Sequence, residues 1–163
     1  MDVKQLCDLI DERKEELFEL LCSLIKNNSE NFLSYGNEEE CAKFIHKLCM
    51  ELGLDSDLYS PMDIENFSEH PDYFPGRGLE NRYNVVARMQ GEVNEDELMI
   101  MAHSDTVRIG DLDKWDFDPL GGIIKDGKII GRGACDDKYG IATVLFLIKL
   151  FKEQGFTPKK RRH

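Results

Sequence analysis

The chain has 163 residues, long enough for one sizeable core and most simply read as one domain. With 41% hydrophobic and 33% charged residues it has the composition of a soluble globular protein, and a net charge of −11 argues against general binding to nucleic acid or anionic membrane. No apolar run approaches the roughly 18 residues of a membrane span, and the first residues lack a signal-peptide pattern. The five cysteines, Cys7, Cys22, Cys41, Cys49 and Cys135, are odd in number and fall mostly on helix faces. Reduced thiols in a cytoplasmic protein are therefore expected rather than a disulfide framework.

From the amino end, residues 3–26 place Val3, Leu6, Ile10, Leu17, Leu20, Leu21, Leu24 and Ile25 at helical spacing. This predicts a long amphipathic helix whose stripe belongs to the core. Residues 27–30 end it, and 32–36 connect onward. Asn37 before Glu38, Glu39 and Glu40 predicts an N-cap with acids in the first turn. That second helix runs to Leu52, with Gly53 just past its end. His46 lies off its apolar stripe and reads as a solvated helix histidine. Residues 54–59 alternate apolar and acidic side chains, as a half-exposed strand does.

Residues 61–81 hold Pro61, Pro71, Pro75, Gly76 and Gly78 and form a long loop, either mobile or functional, with His70 on its surface. A strand over 83–89 and a polar turn over 91–96 follow. Residues 98–102 (Leu98, Met99, Ile100, Met101, Ala102) carry no charge and predict a strand buried on both faces. Asp126-Gly127 between isoleucine pairs predicts a type I′ hairpin. Residues 131–133 turn into a helix over 137–153, apolar around most of its circumference and so buried on several sides. Gly155 ends it. The basic residues 159–163 read as a solvated tail or the lead into a further strand. The order predicts an α/β fold, a layered mixed and largely parallel sheet flanked by helices.

Chemistry concentrates around two short stretches. His103 and Asp105 follow the apolar run at the carboxyl end of its strand, where ligands of open α/β sheets sit. Their i, i+2 spacing sends both to one face if the strand continues. An imidazole beside a carboxylate suits a metal ligand whose second ring nitrogen is held, or a base held the same way. The plainer alternative is a hydrogen-bonded surface histidine. Asp136 lies at the mouth of the last helix, where the dipole favours a carboxylate and where it can face His103 across a sheet edge. Here the alternative is that Asp136 or Asp137 is only an N-cap. Cys135 has no base placed beside it and reads as a small packing residue. The glycine spacing over 131–140 fits neither a P-loop nor a dinucleotide fingerprint.

Taken together, His103-Ser-Asp-Thr-Val107, Trp115, Asp118-Pro119, Asp126-Gly-Lys128, Gly131-Arg-Gly-Ala134 and Asp136-Asp-Lys138 resemble the co-catalytic zinc amidohydrolases. That family includes acetylornithine deacetylase, succinyl-diaminopimelate desuccinylase, carboxypeptidase G, aminoacylase and bacterial dipeptidases. By position, the resemblance implies that His103 is a terminal ligand of one zinc, Asp136 the carboxylate bridging two, and Asp105 the residue orienting His103. It also implies a cis peptide after Asp136. Tyr139 departs from the pattern, since relatives usually carry Gly there.

The resemblance covers a partial zinc-exopeptidase catalytic domain. In the family a Glu-Glu pair after the next strand, a further acid, a second His and an inserted lid or dimerisation domain complete the site. No Glu-Glu pair follows Asp137. Residues 1–163 are accordingly expected to be a single α/β domain forming the N-terminal part of such an enzyme, without the lid domain. The intact protein would hydrolyse amide or peptide bonds in N-acyl amino acids or dipeptides, using two Zn2+ ions with Co2+ or Mn2+ as alternatives. Its partners would be these small molecules and, as in oligomeric relatives, a second copy of itself, with no nucleic acid and no membrane. The residues that bind substrate are unknown from sequence. Alone, the chain is expected to be inactive. The competing reading is a non-catalytic metal-binding or interaction module derived from the same fold.

Overall fold

The computed structural model describes residues 2–92 and 98–158. The first helix, α1 (Val3–Lys26), spans the residues that its apolar spacing marks out. Asp2 starts it with a capping box: its carboxylate accepts from Gln5 N at 2.8 Å while its own N–H donates to Gln5 Oε1 at 2.9 Å. The second helix, α2 (Glu39–Glu51), begins after Glu38 rather than after Asn37, and no side chain caps it. The Glu38 carboxylate is engaged by Arg82 at 2.8 Å. Gly53 takes φ +66°, and its backbone lets Leu54 N reach back to Cys49 O.

Strands β1 (Asp55–Tyr59) and β2 (Asn84–Arg88) pair antiparallel, with Asp55 opposite Arg88 and Tyr59 opposite Asn84. The long loop between them includes two single 3-10 turns, Pro61–Asp63 and Phe67–Glu69, and His70 is exposed in it. Strands β3 (Ile123–Lys125) and β4 (Lys128–Ile130) form the expected hairpin, with Asp126 and Gly127 both at positive φ as a type I′ turn requires. The third helix is α3 (Lys138–Glu153).

The core lies between the helices. Leu21, Leu24 and Ile25 of α1 meet Cys41, Ile45 and Cys49 of α2, Leu54, and Ala142 and Leu145 of α3. Leu24, Ile25, Cys41, Ala142 and Leu150 are fully buried, each large aliphatic stabilising the fold by roughly 1.5–3 kcal/mol. Helix α1 packs along α3, and α2 covers β1 and β2. On the α1–α3 seam Arg13 binds Glu16 and Glu153, and Lys149 donates to Glu16 at 2.6 Å.

The sheet differs from the one expected. Instead of a largely parallel sheet the described residues form two separate two-stranded antiparallel sheets. Among the described residues the parallel contact is a single bridge, Glu30 to Thr106. Residues 98–101 are not a buried strand: Leu98 is 87% exposed and Met101 83%. A strand apolar on both faces needs a hydrogen-bonding neighbour and a covering layer on each side. The described residues supply neither: β2 pairs along one edge with β1, and no described strand pairs with residues 98–101. The histidine expected to be solvated, His46, lies 2.9 Å from Ser56 Oγ and ties α2 to β1. The polar turn over 91–96 lies largely outside the described residues, and the basic residues 159–163 entirely so.

Candidate metal centre

Three elements converge on His103. The chain after the exposed run is pinned to the connection following α1: Thr106 N donates to Ser29 O and Asn31 N to Thr106 O, both at 2.9 Å. Ser29 Oγ adds a bond to Ser104 O at 2.6 Å. His103 and Asp105 thus sit beside residues 29–31, on an anchored loop rather than at a strand end.

On the other side, the turn before α3 brings up Asp136. Arg132 N donates to Pro119 O, and Lys138 N to Gly133 O. Gly133 is indispensable there. It has φ +86°, and a Cβ would come 2.8 Å from Thr106 Cγ2 and 3.0 Å from Lys138 Cδ. Lys138 itself is wholly buried, its ammonium donating to Leu24 O at 2.9 Å and Asn27 O at 2.6 Å. It caps the carbonyl end of α1, where a cation is favoured, and clamps α3 to it. Burial holds this ammonium below its usual pKa. The Asp136–Asp137 peptide is cis. Asp137 makes no side-chain cap bond, so it is not a conventional N-cap. Tyr139, the expected departure from the family pattern, is 52% exposed.

The structure brings the three residues singled out in the sequence together. His103 Nδ1 lies 3.0 Å from Asp105 O and 3.3 Å from Asp105 Oδ1. Both partners only accept, so Nδ1 carries the proton. His103 Nε2 lies 2.9 Å from Asp136 Oδ1. With Nδ1 protonated, a neutral ring would set a lone pair against a carboxylate oxygen. A proton or a cation has to be shared between them. Burial pulls the His103 imidazole down, but its hydrogen bonds to the Asp105 carbonyl and the Asp136 carboxylate, with the charges of both side chains, outweigh it and hold the ring above its usual pKa.

The donors fit a divalent metal in kind: an imidazole with its far nitrogen anchored, and a carboxylate. Two ligands of one tetrahedral zinc sit about 3.4 Å apart. The Asp136 side chain, 83% exposed, has room for that opening. In number the set is incomplete, since among the described residues no three His, Cys, Asp or Glu side chains gather as a metal site. Cys135 is exposed, which corrects its reading as a packing residue.

Sequence reasoning missed what lies behind Asp105. Asn31 Nδ2 donates to Asp105 Oδ2 at 3.0 Å, and Arg82 Nη2 donates to Asn31 Oδ1 at 2.7 Å. Asn31 falls between the helix end at 27–30 and the connector at 32–36, and Arg82 between the loop over 61–81 and the strand over 83–89. No local pattern marks either, because they meet only through the fold.

Comparison with known proteins bears on this geometry. Residues 99–162 match the model of the family described as Peptidase family M20/M25/M40. An uncharacterized metallohydrolase of Methanocaldococcus jannaschii is 36% identical over 149 residues, covering 89% of this chain and 34% of that protein. N-formyl-4-amino-5-aminomethyl-2-methylpyrimidine deformylase of Bacillus subtilis is 33% identical, covering 88% of this chain and 30% of that enzyme. A succinyl-diaminopimelate desuccinylase of Rhodospirillum centenum is 36% identical over 101 residues, 62% of this chain and 26% of that enzyme. The chain thus spans about a third of the length of the first two of these relatives.

Proposed function

From the premise that this chain is a member of the M20/M25/M40 peptidase family, we propose that it forms the His103–Asp136 half of a metal centre in a hydrolase of amide or peptide bonds. One observation carries the reading: the 2.9 Å approach of His103 Nε2 to Asp136 Oδ1, with the opposite ring nitrogen held by Asp105. His103 and Asp136 would hold the metal, zinc by the chemistry of an imidazole and carboxylate pair, with Co2+ or Mn2+ able to replace it. When bound, the metal supplies Lewis-acid polarisation of an amide carbonyl.

The chain's own residues do the rest of what is assigned here. Asp105 keeps the Nδ1 proton in place, so that Nε2 faces the gap as a donor of its lone pair. Lys138 and Gly133 fix the turn that carries Asp136. The substrates proposed are N-acyl amino acids or dipeptides, a class supported by relatives named desuccinylase, deformylase and putative dipeptidase. All five cysteines are free, which fits a reducing compartment and a cytoplasmic site of action. No helix among the described residues is long and apolar enough to cross a membrane.

A second reading, a non-catalytic metal-binding or interaction module, is favoured by the incomplete donor set and the exposed apolar residues 98–101. A hydrolysis assay tests the first reading. The 163-residue protein, supplied with Zn2+, is expected to leave N-acetyl amino acids and dipeptides uncleaved, because among the described residues no glutamate gathers with His103 and Asp136 to serve as base. The same family's longer proteins, carrying this stretch, should cleave them and lose activity on replacement of the residue matching Asp136. Turnover by the 163 residues alone would overturn the half-site assignment.

A further inference from the structure

Behind the metal centre a chain of contacts runs inward to a buried ion pair. Asp105 Oδ2 accepts from Asn31 Nδ2 at 3.0 Å. Asn31 Oδ1 accepts from Arg82 Nη2 at 2.7 Å and from Leu33 N at 2.9 Å. Arg82 Nη2 also donates to Tyr35 O at 3.2 Å and pairs with Glu38 Oε1 at 2.8 Å. Arg82 and Glu38 are each only 7% exposed.

Stability alone is a poor account of this arrangement. Removing two charges from water costs several kcal/mol per ion, and the return depends on satisfying every remaining donor and acceptor. Here Arg82 Nε and Glu38 Oε2 are buried without a partner among the described residues. The backbone is also shaped around the pair: a Cβ on Gly36 would lie 1.8 Å from Glu38 Oε2.

The consequence falls on Asn31. Its amide has two chemically distinct ends, and two donors aimed at Oδ1 leave only one orientation. Nδ2 is thereby forced toward Asp105. A donor on Oδ2 holds the carboxylate plane, so that Oδ1 stays on the Nδ1 side of His103 at 3.3 Å. We propose that Asn31, oriented by the buried Arg82–Glu38 pair, is the positioning residue that locks Asp105 against His103. It sets the ring to present Nε2 toward Asp136. The inference rests on the metal-centre reading only for its consequence in binding; the orientation of His103 stands without a metal.

The test uses the 163-residue protein with two readouts. Nitrogen-15 NMR at about pH 9, above the usual titration of histidine, gives the fraction of neutral His103 protonated at Nδ1. Calorimetric titration with Zn2+ gives affinity. Asn31→Asp keeps the oxygen for Arg82 and Leu33 and turns the donor to Asp105 into a second carboxylate oxygen that repels it. It is expected to shift His103 toward the Nε2-protonated tautomer and to weaken zinc about 10- to 100-fold, the usual cost of losing an outer-shell partner. In an Asp105→Asn background the same substitution should have no further effect. An equal loss in both backgrounds, or no change in tautomer, overturns the proposal.

Should Asn31→Asp not fold, the Asn31 side-chain amide protons of the unaltered protein decide instead. They should shift on Asp105→Asn, and unmoved signals overturn the proposal. The metal reading fails separately. Wild-type protein that ignores Zn2+ while Asn31→Asp still moves the His103 tautomer refutes the metal centre and upholds the positioning role. Zinc binding that needs His103 but is indifferent to Asn31 does the reverse.

Discussion

His103 shows how little of a site needs to be covalently close. Its ring is fixed by Asp105, two residues away, and faces Asp136, thirty-three residues on. The spacing of the first pair is legible in the sequence because i, i+2 residues share a side. The second pairing is legible only through the family resemblance and the reach of a helix mouth. The link from Asn31 through Arg82 to Glu38 is invisible in the sequence for a physical reason: an asparagine and an arginine outside the helices are ordinary polar residues until the fold brings them together and buries Arg82 and Glu38. The cysteines give a separate prediction at this scale. Burial pushes the thiols of Cys22, Cys41 and Cys49 up, whereas Cys7 and Cys135 are exposed. A neutral thiol reagent should therefore modify Cys7 and Cys135 promptly and the other three only on unfolding. Rapid labelling of Cys41, which is fully buried, would contradict this packing.

At the scale of elements, the helices and the hairpin were readable and the sheet was not. Periodicity and end signals are local, so α1, α3 and the β3–β4 turn lie where they predict. Strand partners are not local. Residues 98–102 have the composition of a buried strand, but pairing requires neighbours that β1 and β2 do not provide. The α1–α3 seam carries a pH dependence. Arg13, with help from Lys149, holds the Glu16 carboxyl down to about 2, and Arg13 likewise lowers Glu153. A depressed folded-state value means that this contribution is present above the unfolded value near 4.5 and is lost as pH falls toward about 2. These groups are partly exposed, so the effect is small and screened by salt. Thermal melts should show Glu16→Gln less stable than wild type at about pH 7, with the gap closing as pH drops below 4. A gap that does not change with pH would assign the difference to packing instead.

For the molecule as a whole, an apolar stretch lies open just before His103. Leu98, Met99, Ile100 and Met101 are all at least 60% exposed, and Val107 and Leu112 add to the exposed apolar surface. Contiguous apolar surface of this kind binds hydrophobic dyes and favours association despite a net charge of −11. Enhanced fluorescence of such a dye is expected, and Ile100→Lys should reduce it without lowering helix content. Fluorescence unaltered by Ile100→Lys would mean the dye binds elsewhere.

The central claim is that His103 and Asp136 together accept a divalent metal. Calorimetric titration of the 163-residue protein with Zn2+ tests it most directly, with His103→Ala and Asp136→Ala run alongside. The account predicts weak binding of at most one equivalent, abolished by either substitution while the helical signal persists. Binding that survives both substitutions, or no binding by the unaltered protein at millimolar Zn2+, would contradict it.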